Sequence, residues 1–522
     1  MKHVTLLCLL ITAAYIPLAC LDYEHVPYSD GAEHGAVLRE LIRDIKSPGE
    51  PMLETYTGKS PRYVPSLFLM ASVARLTGMN AFSTIKLFSI LFFIFFLISL
   101  IFFARQYFQD PKQAFWTIAC MLFLWGTGWT GANAYMFSAL VYTAWYPSLV
   151  SFACVFISLA YACRFLREAE PASYAGWCLF GAVAFVNHPL TASFLWLAST
   201  LLTIEIKGWR GLFRPWFTLF FAASIGIMAL WPYYDFFESL FTITSGSLAT
   251  TSDYLLTRTY LYSNIIVRTG PALAAIPVLF FYILKKKHSM LSQLWLISLC
   301  IYAAGYFLRI SLSERFIFAI IFSSQILVSR YACTLWQDVR KRTATAAQTT
   351  CFALFAVLVA YGLIGQASLI MQEYLYPDFT VNSNAPYLHY KDPTATHKQF
   401  AYYIQPGDIV FSDVFTSWGI PLYTGAKIVS LFHTPPHIRD NIERIAEVNR
   451  FYDPSLDNLQ RIQILRHFNA TKLVIHFPVA GQDIRDQITS MGLPLIMKSD
   501  AVYIYDVPTD DDMSAPTNTY HN

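Results

Sequence analysis

Charged side chains are scarce in this sequence of 522 residues. Asp, Glu, Lys and Arg make up 14% of it, whereas hydrophobic residues make up 55%. Soluble domains carry about 25% charged residues, so the composition indicates a polytopic membrane protein. The formal net charge of +3 over so long a chain gives no indication of a nucleic-acid partner, and we expect none.

The nine cysteines show no CxxC spacing, and all of them lie in or beside apolar segments. They are therefore expected to be small core residues and not a metal or disulfide framework. None follows Cys351. The polar C-terminal region must consequently be stable without disulfide bonds.

Eleven apolar runs are long enough to cross a bilayer. They lie near residues 4–20, 84–104, 114–130, 138–163, 174–187, 189–204, 215–231, 269–284, 290–308, 316–333 and 349–371. The first run is expected to be an uncleaved span, with a cleaved signal peptide as the alternative. Residues 174–204 are divided in two at Asn187-His188-Pro189, because one helix of about 46 Å exceeds a membrane core of about 30 Å.

The distribution of positive charge decides whether the remaining run, residues 63–79, crosses the membrane. The clusters that should face the cytoplasm are Arg105/Lys112, Arg164/Arg167, Lys207/Arg210/Arg214, Lys285–Lys287 and Arg330/Arg340/Lys341/Arg342. With Lys2 inside, all of them do so only if residues 63–79 do not cross. This run is therefore predicted to be an interfacial or re-entrant helix.

The predicted fold is a polytopic α-helical membrane module with a small soluble α/β domain at its C-terminus. The module comprises residues 1–371, with a first outer loop at 21–82 and a second at 232–268. Hydrophobic alternation near 408–411, 427–430, 472–475 and 501–504, between helical stretches near 395–405, 437–450, 455–467 and 481–491, predicts the α/β domain at 372–508. Residues 509–522 are predicted to be disordered.

The predicted spans carry almost no ionisable groups, whereas ion-coupled transporters usually carry them at membrane depth. Acidic candidates collect in the first outer loop. Asp30 is the first candidate for a catalytic base, and the alternative is a helix N-cap with Glu33 three residues later. Glu33 and His34 are accessory candidates, or ligands of a divalent metal together with Asp30.

Cationic candidates for binding an anionic substrate lie on the same predicted face of the membrane. Lys59 and Arg62 precede the interfacial helix, His188 lies at the tip between two spans, and Arg315 lies at the mouth of a span. Each has a structural alternative: attraction to lipid headgroups, a backbone hydrogen bond, or an ion pair within its own loop. Arg258 in the second outer loop is an accessory candidate.

Two stretches of the first loop, Ser29-Asp-Gly-Ala-Glu-His-Gly-Ala-Val-Leu-Arg-Glu-Leu41 and Lys59-Ser-Pro-Arg-Tyr-Val-Pro-Ser-Leu-Phe-Leu, resemble the GT-C superfamily of glycosyltransferases. That superfamily includes the lipid A aminoarabinose transferases and the protein O-mannosyltransferases. The resemblance implies that Asp30 acts as base, or helps to bind metal in metal-dependent members. It also implies that Lys59 or Arg62, and His188, lie near the carrier phosphate. Aminoarabinose-transferase-like members often have a second acidic residue in a later outer loop, and residues 142–147 here contain none. A divalent metal is therefore kept only as an alternative.

The resemblance implies a membrane glycosyltransferase that moves a sugar, with inversion, from a polyprenyl-phosphate donor to a glycan, lipid or protein acceptor. The expected location is the bacterial inner membrane, with the N-terminus cytoplasmic and the C-terminal domain periplasmic. The alternative is a non-catalytic or transport component of envelope polysaccharide assembly, such as a polymerase or flippase partner.

Overall fold

The computed structural model describes residues 2–20, 30–54, 60–126, 135–233, 237, 259, 261–310, 312–371, 398–432, 438, 440–499 and 502–508. The chain forms two compact units. The helical unit comprises Met1–Leu21, Val64–Ser66 and Phe82–Thr380, and the sheet unit comprises Asp22–Tyr63, Leu67–Ala81 and Val381–Asn522.

The described helices follow one another along the whole chain. In order they are α1 (Lys2–Cys20), α2 (Asp30–Arg43), α3 (Pro65–Thr77), α4 (Ala81–Phe108), α5 (Gln113–Phe123), α6 (Phe137–Thr143), α7 (Pro147–Glu168), α8 (Pro171–Asn187), α9 (Pro189–Lys207), α10 (Pro215–Ala229), α11 (Ile265–Thr269), α12 (Ala275–Leu284), α13 (Ser289–Leu308), α14 (Phe316–Arg340), α15 (Ala346–Ile370), α16 (Val414–Thr424), α17 (Asn441–Phe451), α18 (Asn458–His467) and α19 (Phe477–Thr489). Short 3-10 segments lie at Trp209–Phe213, Gly270–Ala274 and Ser313–Arg315.

Seven helices among the described residues are long and apolar enough to cross a membrane. They are Lys2–Cys20, Ala81–Phe108, Pro147–Glu168, Pro189–Lys207, Ser289–Leu308, Ser313–Arg340 and Ala346–Ile370. Shorter apolar helices lie at Gln113–Phe123, Pro215–Ala229 and Gly270–Leu284. This is the architecture of an integral membrane protein, while the count of eleven spans stays a prediction.

Prolines set several of the helix boundaries in the helical unit. The predicted run 138–163 is divided into α6 and α7, because Pro147 occupies the first position of a new helix, where its missing N–H costs nothing. In the same way α8 ends at Asn187 and α9 begins at Pro189. The predicted division of residues 174–204 at Asn187-His188-Pro189 is therefore confirmed.

Helix α3 covers most of residues 63–79, the run that the distribution of positive charge indicates does not cross the membrane. It has 13 residues, which is about 20 Å of helix and too short for a membrane core of about 30 Å. Its Arg75 donates to the backbone oxygens of Ile42 and Arg43 at 2.8 and 3.0 Å. The helix therefore packs against the end of α2, and its placement at a membrane interface stays a prediction.

The sheet unit contains a five-stranded sheet in the order β2-β1-β3-β5-β4. The strands are β1 (Ile409–Phe411), β2 (Lys427–Ile428), β3 (Lys472–His476), β4 (Leu495–Lys498) and β5 (Val502–Asp506). Strand β1 pairs in parallel with β2 and β3, and β5 pairs antiparallel with β3 and β4. The predicted α/β fold of this region is confirmed.

Helices cover both faces of this sheet. Successive strand residues point to opposite sides, so neighbouring residues join different cores. Val474 joins a core with Trp418 and Ile420 of α16. Its neighbour Ile475 joins a second core built from α17, α18 and α19, which includes Phe451. The unit is therefore a three-layer α/β/α arrangement.

Most of residues 21–82, which the sequence predicts to be a first outer loop, belong to this unit. Ala32 and Ala36 of α2, together with Met52 and Leu53, belong to the core on the α16 side of the sheet. The backbone N–H of Ile428 donates to the Met52 oxygen at 2.7 Å. The sequence pattern groups residues 21–82 with the membrane module, and no local pattern indicates that part of this segment shares a core with residues 400–504.

Candidate functional site

The acidic candidates lie in the first turn of α2, where carboxylates interact favourably with the helix dipole. Their environments differ. The side chain of Asp30 is 49% exposed, whereas that of Glu33 is 5% exposed. Helix α2 begins at Asp30 itself and the residue before it lies outside the described residues, so the capping role of Asp30 stays a prediction.

Arg62 pairs with both of these carboxylates. A turn at Ser60 carries it, in which the Tyr63 N–H donates to the Ser60 oxygen at 3.0 Å. The Arg62 Nη2 atom lies 2.5 Å from Glu33 Oε2 and 3.6 Å from Asp30 Oδ1. Burial on its own would lower the pKa of the Arg62 guanidinium, but Glu33 and then Asp30 outweigh it and raise that pKa.

This arrangement gives one accessible carboxylate beside a fixed cation. Glu33 holds Arg62 in a close, mostly buried ion pair, and Arg62 in turn faces the half-exposed Asp30. A charged carboxylate of this kind is able to accept a proton from a hydroxyl group. The guanidinium of Arg62 is already engaged by two carboxylates. Its predicted role in binding phosphate stays a prediction.

The same residues do not fit a divalent metal. His34 is buried at 6% exposure on α2, and no three His, Cys, Asp or Glu side chains in the described part of the chain form a group suited to a metal ion. Arg62 also places a positive charge 2.5 Å from the Glu33 carboxylate.

In the helical unit, His188 caps the start of α9. Its Nδ1 atom accepts from the Thr191 N–H at 3.1 Å and lies 2.8 Å from Thr191 Oγ1. Because Nδ1 accepts a hydrogen bond, the proton of the neutral ring is on Nε2. His188 therefore has the predicted backbone hydrogen bond, and its Nε2–H is a donor suited to an anionic oxygen.

Tyr135 lies near Thr191, the hydrogen-bond partner of this histidine. The Tyr135 hydroxyl lies 3.4 Å from Thr191 Oγ1, and Arg315 is close enough to act electrostatically on Tyr135. Arg315 ends the 3-10 turn Ser313–Arg315 at the start of α14. Tyr135 is thus beside the hydrogen-bond partner of His188 and within the electrostatic influence of Arg315.

Tyr262 and Gly305 fix the turn that carries Arg315. The Ser313 hydroxyl lies 3.1 Å from the Tyr262 hydroxyl and donates to the Ile310 oxygen at 2.7 Å. Gly305 on α13 faces Ser313 so closely that a Cβ atom there would lie 1.7 Å from Ser313 Oγ. A side chain at position 305 would displace this turn.

Lys59 and Arg258 lie outside the described residues, so their predicted roles stay predictions. The sequence did not single out Tyr135 or Thr191. The i, i+3 spacing of His188 and Thr191 is that of a helix cap and its partner, which is a readable signal. Nothing local indicates Tyr135, which reaches Thr191 across 56 positions of chain.

No known protein family and no curated protein matches the chain. Among solved structures it is similar to the arabinofuranosyltransferase AftD from Mycobacteria, with a TM-score of 0.48 and 12% identity over 92% of this chain and 40% of that one. A mutant of the same enzyme gives 0.49 and 13% over 92% and 41%. The oligosaccharyltransferase of Archaeoglobus fulgidus gives 0.39 and 10% over 90% and 69%. The chain spans about two fifths of the arabinofuranosyltransferase, and likeness of this size carries no argument about activity.

Proposed function

We propose that the protein is a GT-C-type glycosyltransferase of the bacterial inner membrane. It transfers a sugar from a polyprenyl-phosphate carrier to an acceptor hydroxyl on the periplasmic face, with inversion at the anomeric carbon. The observation that carries the proposal is the half-exposed Asp30, which faces an arginine that a buried Glu33 holds in place. The many apolar helices supply the setting that a lipid-linked donor requires.

In the proposed reaction the acceptor oxygen attacks the anomeric carbon of the sugar while Asp30 takes its proton. The bond between that carbon and the phosphate oxygen breaks, and its electron pair remains on the departing polyprenyl phosphate. A single displacement of this kind inverts the anomeric carbon. Arg62 acts by orienting the Asp30 carboxylate.

In the helical unit, His188 and Arg315 are the proposed ligands of the carrier phosphate. His188 offers an Nε2–H donor, because Nδ1 is occupied by the Thr191 N–H. Arg315 offers a planar guanidinium, which suits phosphate oxygens. Fixed donors of this kind stabilise the charge that develops on the leaving phosphate.

The test is the variant Asp30→Asn, assayed with a panel of polyprenyl-phosphate-linked mannose, glucose and arabinofuranose in membranes that contain the full chain. Release of polyprenyl phosphate is the readout. We expect the native chain to consume one member of the panel and Asp30→Asn to lose at least a hundredfold in rate, with unchanged membrane insertion.

The matched control is Asp44→Asn. Asp44 Oδ1 accepts from the Lys46 and Ser47 N–H groups in a nearby turn, and asparagine retains this acceptor, so full activity is expected. Full transfer by Asp30→Asn would overturn the assignment of the base. Absence of turnover by the native chain with every donor would favour the non-catalytic or transport component.

A further inference from the structure

Helix α2, which carries Asp30, is bound to α16 of the C-terminal α/β layer by an arginine. Arg39 Nη1 donates to the backbone oxygens of Leu422 and Tyr423 at 2.7 and 2.5 Å. Helix α16 ends at Thr424, so these oxygens are in its last turn. Such carbonyls have no partner within their own helix and carry partial negative charge. Arg39 therefore satisfies them and ties the two helices together.

A buried ion pair makes the second connection. Lys427 Nζ in β2 lies 3.3 Å from Glu40 Oε2, and the two side chains are only 7% and 6% exposed. The same Nζ donates to the backbone oxygen of Glu50, and Glu40 Oε1 accepts from the Gly49 N–H at 2.9 Å. A buried pair is weak evidence for net stability, but this one connects β2 directly to α2, where Arg43 also pairs with Glu40.

A glycine allows the close approach of the two helices. A Cβ atom on Gly35 would lie 2.4 Å from Leu422 Cδ1, which is far inside van der Waals contact. A larger residue at this point of α2 would require the Leu422 side chain to move. Together with Ala32 and Ala36 in the core on the α16 side, this contact packs α2 against α16 along its length.

We infer that α2 and the C-terminal α/β domain move as one rigid body during the reaction, with Lys427 and Arg39 as positioning residues for Asp30. The inference rests on the function proposed above. Asp30 begins α2, and Arg39 and Glu40 lie in its later turns. A helix of about 21 Å is stiff, so its anchored end fixes the direction of the carboxylate at the other end. The C-terminal domain thereby carries the catalytic base.

A disulfide tests the rigid-body claim. The Cβ of residue 35 would lie 3.2 Å from Leu422 Cγ, close to the position that Sγ of a cysteine at 422 would take, so the pair Gly35→Cys/Leu422→Cys is suited to a disulfide. We expect the oxidised full chain to form this bond and to transfer sugar at the rate of its dithiothreitol-reduced form. The native chain, treated with the same oxidant, is the control for its nine cysteines. Failure to form the bond, or loss of activity that dithiothreitol restores, would overturn the inference.

Charge substitutions test the positioning residues. Lys427→Met should lower kcat at least tenfold with little change in the KM for the lipid-linked donor, and Lys427→Arg should recover most of the loss. Lys472→Met is the matched control, because Lys472 pairs with Asp506 elsewhere in the same sheet. Unchanged kcat in a folded Lys427→Met, with Asp30→Asn inactive, would overturn only this inference. A fully active Asp30→Asn would instead overturn the proposed function on which it rests.

Discussion

The guanidinium of Arg62 lies 2.5 Å from the carboxylate of Glu33. The partners differ in their access to solvent, since the Glu33 side chain is 5% exposed and that of Arg62 is 26% exposed. Removal of either charge breaks this mostly buried ion pair, although Arg62 also faces the half-exposed Asp30 at 3.6 Å. The pair is therefore expected to stabilise the start of α2, and with it the position of Asp30.

Glu33→Gln and Arg62→Gln should each lower the free energy of unfolding of the sheet unit by about 1–3 kcal/mol. The double variant should cost less than the sum of the single variants, because each single substitution already breaks the Arg62–Glu33 ion pair. Hydrogen exchange of α2 peptides in the full chain, measured in urea, provides the comparison. Additive costs would show that the two residues act independently.

The fold was readable from the sequence where the pattern is local. All eleven predicted apolar runs contain helix in the described residues, and alternation located β1, β2, β3 and β5. Helix α16 was not predicted, because glycine, proline and β-branched residues in Val414–Thr424 are weak helix formers. Nearly the whole helix is buried, so tertiary packing decides its structure. The short strand β4 was also missed.

The candidate site was only partly readable, because its geometry depends on contacts between distant parts of the chain. The acidic start of α2 and the histidine between two helices are visible as short motifs. The pairing of Arg62 with Glu33 is not visible, since the sequence shows that both residues are charged but not which residues they contact. The anchoring of α2 by Lys427 links positions 387 residues apart, and no local pattern indicates it.

Gly305→Ala should destabilise the helical unit, because the new Cβ would lie 1.7 Å from Ser313 Oγ. Overpacking of this kind costs about 1–3 kcal/mol, and occasionally more. The double variant Gly305→Ala/Ser313→Gly should recover part of the loss, since it removes the clashing hydroxymethyl group. The measurement is the Tm of the detergent-solubilised full chain.

Gly226→Ala in α10 is the matched control for that substitution, because a Cβ there meets no atom of the described residues within 4 Å. It should raise stability slightly, by up to about 1 kcal/mol, through helix propensity. Equal Tm values for the variants at positions 305 and 226 would show that the turn at Ser313 is not closely packed against α13.

His476 should make the sheet unit less stable in acid. Burial lowers the pKa of this histidine, at the end of β3, to about 4, whereas its pKa in the unfolded chain is about 6.5. Between these values the unfolded state binds more protons than the folded state, so stability falls as the pH drops from about 6.5 to 4. The full loss is about 3 kcal/mol.

His476→Gln should abolish this part of the pH dependence, measured as the hydrogen-exchange protection of β3 and β5 peptides after correction for the intrinsic exchange rate. His467→Gln, at an exposed position at the end of α18, should leave the dependence in place. If His476→Gln retained the full acid sensitivity, another group would have to be responsible.

His188→Asn separates the structural role of His188 from its proposed role in binding phosphate. Asparagine is a good N-cap, and its Oδ1 is able to replace His188 Nδ1 as the acceptor for the Thr191 N–H, so α9 should remain intact. The Nε2–H donor is lost, and a hydrogen bond to a charged group contributes about 1.5–3 kcal/mol. The KM for the lipid-linked donor should therefore rise about tenfold to a hundredfold at unchanged Tm. His188→Ala should lower the Tm as well, because it removes the cap. An unchanged KM in a stable His188→Asn would show that His188 acts only as a helix cap.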